Sequence, residues 1–235
     1  MAASAKEKII VALDVPNFSE ARAVLQDLSG SATWCKIGMQ LFTREGPQVV
    51  AFAREQGFRV FLDLKFHDIP NTVASGARSA AELGVDMLTI HLCGGPEMIR
   101  GAVEAAPSVC VLGVTVLTSS STETLSAVGI PHTPADWVPR LASLGAECGI
   151  GGIVCSPLEI KAVRAVVGPG PKIVTPGVRP AGADLGDQKR VLTPAAAIAA
   201  GADFLVIGRP IIAAESRRAA FEAIAAEIAA GAGQA

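Results

Sequence analysis

The sequence predicts a (β/α)8 barrel, the TIM-barrel architecture, as a single domain over residues 1–235, on three observations. Eight short β-rich runs alternate with Ala-rich segments of helical periodicity. The 235 residues are long for one ordinary domain but normal for such a barrel. Polar residues gather at the C-terminal ends of the runs, where barrels of this kind carry their sites. An open doubly wound sheet is the competing arrangement, but no Gly-x-Gly-x-x-Gly follows the first run and no stretch reads as a linker.

Strand one is expected from Lys8 to Leu13, closed by Asp14, with a helix from Ser19 to Leu28 after it. Strand two, Thr33 to Ile37, carries Lys36 near its end, and the helix Pro47 to Gln56 stops at Gly57. Strand three, Phe58 to Leu64, runs into the charges of Asp63, Lys65 and Asp68. Strand alternation turns Asp63 and Lys65 to one face. A carboxylate and an ammonium are costly inside a barrel unless they serve each other or a ligand.

A helix from Val73 to Leu83 stops at Gly84, strand four spans Met87 to His91, and a helix runs from Pro96 to Ala105. Strand five, Val109 to Val114, leads to Thr115 and Thr118. Thr133-Pro134 and Thr193-Pro194 each offer an N-cap followed by proline at the first helical position. Ser156 follows strand six (Gly152 to Cys155), and Arg179 follows strand seven (Lys172 to Thr175). Gly201 ends the next helix, and Gly208-Arg209 follow strand eight (Phe204 to Ile207). Ile211 to Ala230 reads as one last helix with an Ala-rich extension. Few charges are expected at the opposite rim.

Composition excludes several classes. A net charge of −2 and a pI near 5.9 leave no basic face for nucleic acid, so an anionic ligand needs locally placed cations and amides. Scattered cysteines (Cys35, Cys93, Cys110, Cys148 and Cys155) without a Cys-x-x-Cys pair read as reduced core thiols of a cytoplasmic protein. No signal peptide is expected at the start, nor a membrane span, for want of a run of about 18 apolar residues.

Two constellations point to chemistry. The loops Thr175-Pro-Gly-Val-Arg179 and Ile207-Gly-Arg-Pro-Ile211 bring small residues, amides and two guanidiniums to a helix start, which suits a phosphate. Turn glycines with solvated arginines are the plainer alternative. Asp14, Lys36, Asp63 and Lys65 would form an alternating charge array at one rim, able to stabilise a developing carbanion and protonate it, or else to brace the barrel mouth. The stretch between Arg179 and Gln188 suits a mobile lid or an ordinary exposed loop. Three histidines, with His132 far from the strand ends, give a metal site little support, and His91 reads as a hydrogen-bonded barrel residue.

These residues resemble the orotidine 5′-phosphate decarboxylase family in its bacterial form. The matches run from Val11-Ala-Leu-Asp14 through Lys36-Ile-Gly-Met and Gly46-Pro47 to Phe61-Leu-Asp-Leu-Lys-Phe-His-Asp-Ile-Pro-Asn-Thr72. They continue with Val114-Thr-Val-Leu-Thr-Ser119, Val154-Cys-Ser156, Val174-Thr-Pro-Gly-Val-Arg-Pro180, Asp187-Gln188 and Val206-Ile-Gly-Arg-Pro210. One departure is His91-Leu-Cys-Gly-Gly, where the bacterial pattern usually has Ala after the histidine. Sugar-phosphate decarboxylases of the same superfamily share Asp-x-Lys-x-x-Asp and use magnesium. The continuation Asp-Ile-Pro-Asn-Thr, Asp187-Gln188 and Ile-Gly-Arg-Pro favour the nucleotide enzyme.

The resemblance implies decarboxylation of orotidine 5′-phosphate to UMP without metal or organic cofactor, in a cytoplasmic homodimer. It implies Lys65 as proton donor to C6, Asp63 against the substrate carboxylate, and Lys36 and Asp14 on the ribose hydroxyls. Asp68 and Thr72 would reach the neighbouring subunit's site. The whole segment Asp63, Leu64, Lys65, Phe66, His67, Asp68, Ile69, Pro70, Asn71 and Thr72 would belong to the substrate site. Ser156 would hydrogen-bond the pyrimidine and Thr118 line the same pocket. Gln188, Arg209 and the Gly208 amide would hold the phosphate, with Arg179 at the base of the closing loop.

Overall fold

The computed structural model describes residues 4–180 and 192–232. Its eight strands are β1 (Ile9–Ala12), β2 (Trp34–Gly38), β3 (Arg59–Phe66), β4 (Met87–His91), β5 (Cys110–Val114), β6 (Gly152–Val154), β7 (Lys172–Pro176) and β8 (Phe204–Ile207). All pair in parallel with their chain neighbours, and β8 returns to β1 through Ile9–Leu205, Ile10–Val206 and Val11–Ile207, closing the barrel. Around them run α1 (Phe18–Leu28), α2 (Met39–Glu45), α3 (Gln48–Glu55), α4 (Pro70–Glu82), α5 (Gly95–Ala105) and α6 (Thr122–Ala127). Then come α7 (Pro134–Glu147), α8 (Ile160–Val167), α9 (Pro194–Ala199), α10 (Arg209–Ile212) and α11 (Arg217–Ala232).

Strand parity divides the apolar residues into two cores. Ile10, Ala12, Trp34, Phe61, Met87, Leu112, Val174 and Val206 fill the barrel interior. Their neighbours in sequence, such as Ile9, Val11, Cys35, Ile37, Val60 and Leu62, pack outward against the helices. Two residues beyond Ala12, Trp34 and Phe61 stand Asp14, Lys36 and Asp63, so the inward parity of three strands ends in charges at one rim. Thr133 and Thr193 accept from the amides of Asp136 and Ala196 with proline behind them, as their sequence predicts. Gly57, Gly84 and Gly201 take positive φ where helices stop.

Four expectations need correction. Charges are not scarce at the opposite rim. Arg59 pairs with Asp86 at 2.8 Å, and Asp203 with Arg164 at 2.6 Å and Lys172 at 3.3 Å. Asp86 and Asp203 also accept the amides of Val60 and Ile173, both at 2.9 Å, so these carboxylates splice one strand start to the next. The tail is two helices, α10 and α11, interrupted at Ala213–Ser216, where Arg217 turns back to the carbonyl of Ile212. Cys93 is exposed and Cys110 half-buried, so these two thiols are not core residues, whereas Cys148 is. Finally, β3 is not a regular strand to its end.

The pairing of β3 with β4 shifts between Leu62 and Phe66: four steps along β3 match two along β4, from Leu88 to Ile90. Among the described residues Lys65 is the only non-glycine with positive φ, at 52°. An L-residue there costs about 1–2 kcal/mol. Such bulges redirect side chains at barrel rims.

Candidate active site

The charged residues at the C-terminal ends of the first three strands form one connected array. Lys36 Nζ lies 3.1 Å from Asp14 Oδ1 and 3.5 Å from Asp63 Oδ2. Lys65 Nζ donates to Asp63 Oδ1 at 2.8 Å. The side chains of Lys36 and Asp63 are only 11% and 13% exposed, while that of Asp14 is 59% exposed. Taking an ion out of water costs several kcal/mol, so each buried member needs its partners. Burial pushes the Asp63 carboxyl up, but Lys36, Lys65 and the hydrogen bonds from Lys65 and Thr89 outweigh it and hold it below the usual 3.8. Asp63 is therefore a carboxylate between two ammonium groups.

Thr89, fully buried in the middle of β4, joins the two catalytic candidates. Its Oγ1 accepts the Lys65 amide at 2.9 Å and donates to Asp63 Oδ1 at 2.9 Å. A threonine inside Met-Leu-Thr-Ile-His looks like any strand residue, so sequence reading passed over it.

A cavity of about 290 Å³ opens over the array, near the lower end for small-molecule sites. It is lined by Asp14, Lys36, Asp63, Lys65, Thr118, Gly177, Arg179, Gly208 and Arg209, over a floor of Ala12, Phe61, Val154 and Val206. Four cations and two carboxylates line it, an excess of positive charge in a chain of net charge −2. The guanidiniums come from the loop after β7 and the start of α10, the charge array from the ends of β1 to β3. The last loop comes so close to the first that a Cβ on Gly208 would lie 3.3 Å from Asp14 Oδ2. The site thus combines two guanidiniums with an alternating array of carboxylates and ammonium groups.

The segment from Asp63 to Thr72 does not line this one cavity. Leu64, Phe66, His67, Asp68 and Thr72 line a second, more open pocket of about 340 Å³, and Lys65 borders both. Ile69, Pro70 and Asn71 line neither; they are exposed at the start of α4, and the Asp68 carboxylate accepts the Ile69 amide at 2.7 Å. The bulge at Lys65 separates the two sets by turning the chain out of the barrel. Ser156 is fully buried and outside the cavity lining; its amide is held by Glu159 at 2.9 Å, and its hydroxyl has no partner among the described residues. Thr115 bonds the Val154 carbonyl at 3.0 Å and serves the barrel wall.

His91 ends β4 as expected, but its side chain makes no hydrogen bond among the described residues. It packs on His67, ring centroids 5.5 Å apart, because β4 ends beside the chain that leaves β3. Burial, then His67 and Lys65, hold its imidazole below the usual 6.5, against a smaller opposing pull from Asp63. His132 stacks on Trp137. No group of three or more His, Cys, Asp or Glu side chains is placed to hold a metal among the described residues. Gln188 and the proposed lid beyond Pro180 lie outside the described residues.

Comparison with known proteins points the same way. Residues 7–224 match the model of the orotidine 5′-phosphate decarboxylase / HUMPS family. The chain is 54% identical over 221 residues to an orotidine 5′-phosphate decarboxylase of Anaeromyxobacter dehalogenans, covering 94% of this chain and 97% of the relative. It is 51% identical over 234 residues to that of Moorella thermoacetica, covering 95% and 93%. A solved orotidine 5′-phosphate decarboxylase from Lactobacillus acidophilus superposes with a TM-score of 0.85 at 36% identity, over 94% of this chain and 99% of that one.

Proposed function

The chain belongs to the orotidine 5′-phosphate decarboxylase / HUMPS family, and from that membership we propose that it decarboxylates orotidine 5′-phosphate to UMP and carbon dioxide. The observation that carries the reading is the Lys36–Asp63–Lys65 array opening into a cavity that two arginines also line. The family also holds sugar-phosphate enzymes. The relatives at 51–54% identity named for the nucleotide reaction support that reaction over the others.

On this reading the phosphate lies toward Arg179, Arg209 and the Gly208 amide, joined by Gln188, and the ribose hydroxyls lie on Asp14 and Lys36. The pyrimidine then falls over Lys65, with its carboxylate toward Asp63.

Loss of carbon dioxide leaves an electron pair at C6 that the ring cannot delocalise. The Lys65 ammonium stabilises that charge at short range and transfers a proton to C6, forming the C–H bond of UMP. Lys65 thus supplies the positive charge and the proton without a metal or organic cofactor. Asp63 holds Lys65 in place and disfavours the substrate carboxylate, whose repulsion ends when carbon dioxide departs. Binding energy from the distant phosphate supports closure of the site.

Asp68 and Thr72 face away from the cavity, and their exposure supports a homodimer in which each chain lends them to its partner's site. No helix among the described residues is long and apolar enough to cross a membrane; a cytoplasmic enzyme of pyrimidine biosynthesis is the setting this reading implies. The test is the absorbance of orotidine 5′-phosphate after adding EDTA-treated protein. Steady loss of the substrate band is expected, and an unchanged spectrum would defeat the assignment.

A further inference from the structure

We propose that Thr89 is a positioning residue that ties the Lys65 backbone to the Asp63 carboxylate and thereby fixes where the Lys65 ammonium stands in the cavity. The shift in pairing between β3 and β4 takes the Lys65 amide out of the regular ladder. A buried N–H must still find an acceptor. It finds Thr89 Oγ1 at 2.9 Å. The same hydroxyl donates to Asp63 Oδ1 at 2.9 Å, which receives Lys65 Nζ at 2.8 Å.

The direction of each bond is forced, since an amide only donates and a carboxylate only accepts. The result is a closed ring: Lys65 amide to Thr89, Thr89 to Asp63, and Lys65 ammonium back to Asp63. It holds both ends of one lysine, the backbone at φ 52° and the tip of the side chain. Thr89 has no exposed surface, so water cannot replace its hydroxyl there. A charge-assisted hydrogen bond to Asp63 also favours its ionised form.

The kinetic part of the inference rests on the proposed decarboxylation; the structural part does not. Thr89→Val keeps the shape and removes the hydroxyl, and Thr89→Ser keeps the hydroxyl and removes the methyl. We expect the valine variant to lose about tenfold to a hundredfold in kcat on orotidine 5′-phosphate. Its KM should stay within about threefold, and serine should restore most of kcat, because the hydroxyl acts on positioning and not on uniform binding. Independently of activity, the Asp63 carboxyl followed by carbon-13 NMR in ligand-free protein should titrate at higher pH in Thr89→Val and return toward wild type in Thr89→Ser.

Equal losses in both variants, or an Asp63 titration unmoved in folded Thr89→Val, would overturn the positioning role. Should Thr89→Val fail to fold, the serine variant decides: a serine variant as impaired as a Lys65 variant overturns the role, and near-normal kcat with an unmoved Asp63 titration upholds it. Wild-type protein inert on orotidine 5′-phosphate would sink the decarboxylase reading instead, leaving the carboxyl titration to decide on Thr89.

Discussion

Asp63 and Lys65 face each other at 2.8 Å across a backbone that turns left-handed at the lysine. The pair is therefore made by a local deformation of β3, whose extra residues turn Lys65 back toward its neighbour's carboxylate. The geometry carries a conformational cost that a regular strand would avoid, and that cost is measurable.

Lys65→Ala and Lys65→Gly should both lose more than about a thousandfold in turnover, since charge stabilisation and proton donation go together. UMP binding, measured by calorimetry, should remain. In urea unfolding the glycine variant should be more stable than the alanine variant by about 1 kcal/mol, because only glycine adopts positive φ freely. Near-normal turnover in either variant would refute the role of Lys65, and a less stable glycine variant would refute the strain.

Arg209→Ala should weaken UMP roughly tenfold to a hundredfold, the worth of hydrogen bonds to a charged group. Uridine, lacking the phosphate, should bind the variant as it binds the wild type. Equal losses for nucleotide and nucleoside would place the phosphate elsewhere.

Lys65→Ala and Asp68→Ala proteins, each inactive alone, should regain activity when mixed and allowed to exchange subunits. Some hybrid dimers then hold one site with both residues intact. No recovery after exchange is confirmed by mass-tagged subunits would mean that each site is built from one chain.

His91 makes stability depend on pH. Its folded value is held below the usual 6.5, so on acidification the unfolded chain takes up this proton first. The contribution is complete above about 6.5 and is lost as the pH falls through the folded value. His91→Gln should flatten the fall in unfolding free energy below pH 6.5, measured by urea titration. An unchanged slope would assign the fall to other groups.

Asp203→Asn tests the opposite rim. It removes one carboxylate, 28% exposed, that serves Arg164, Lys172 and the Ile173 amide, so a loss of about 1–2 kcal/mol is expected. kcat should stay within about twofold. A large fall in kcat with stability unchanged would mean that this rim also takes part in the reaction.

The fold was legible because periodicity repeats: eight alternations average out errors at any one strand end. The array was legible for a related reason, as Asp14, Lys36 and Asp63 extend the inward parity of Ala12, Trp34 and Phe61. The bulge was not, because register depends on what the neighbouring strand offers, and Thr89 offers a hydroxyl in the place of a backbone acceptor. Asp86 and Asp203 were hidden because they precede their strands, where an acidic residue reads as an ordinary turn. Helices α2 and α6 are under two turns each, too short for a periodic signal.

The close approach of Gly208 to Asp14 has a consequence for synthesis. The β1 wall of the cavity leaves the ribosome first, but the β8 wall beside it is nearly the last part of the barrel to emerge. A nascent chain that has made strands one to seven carries Asp14, Lys36, Asp63 and Lys65, yet it lacks Gly208, Arg209 and the seam between β8 and β1. A ligand that touches both walls therefore stabilises the closed ring and not a partial one.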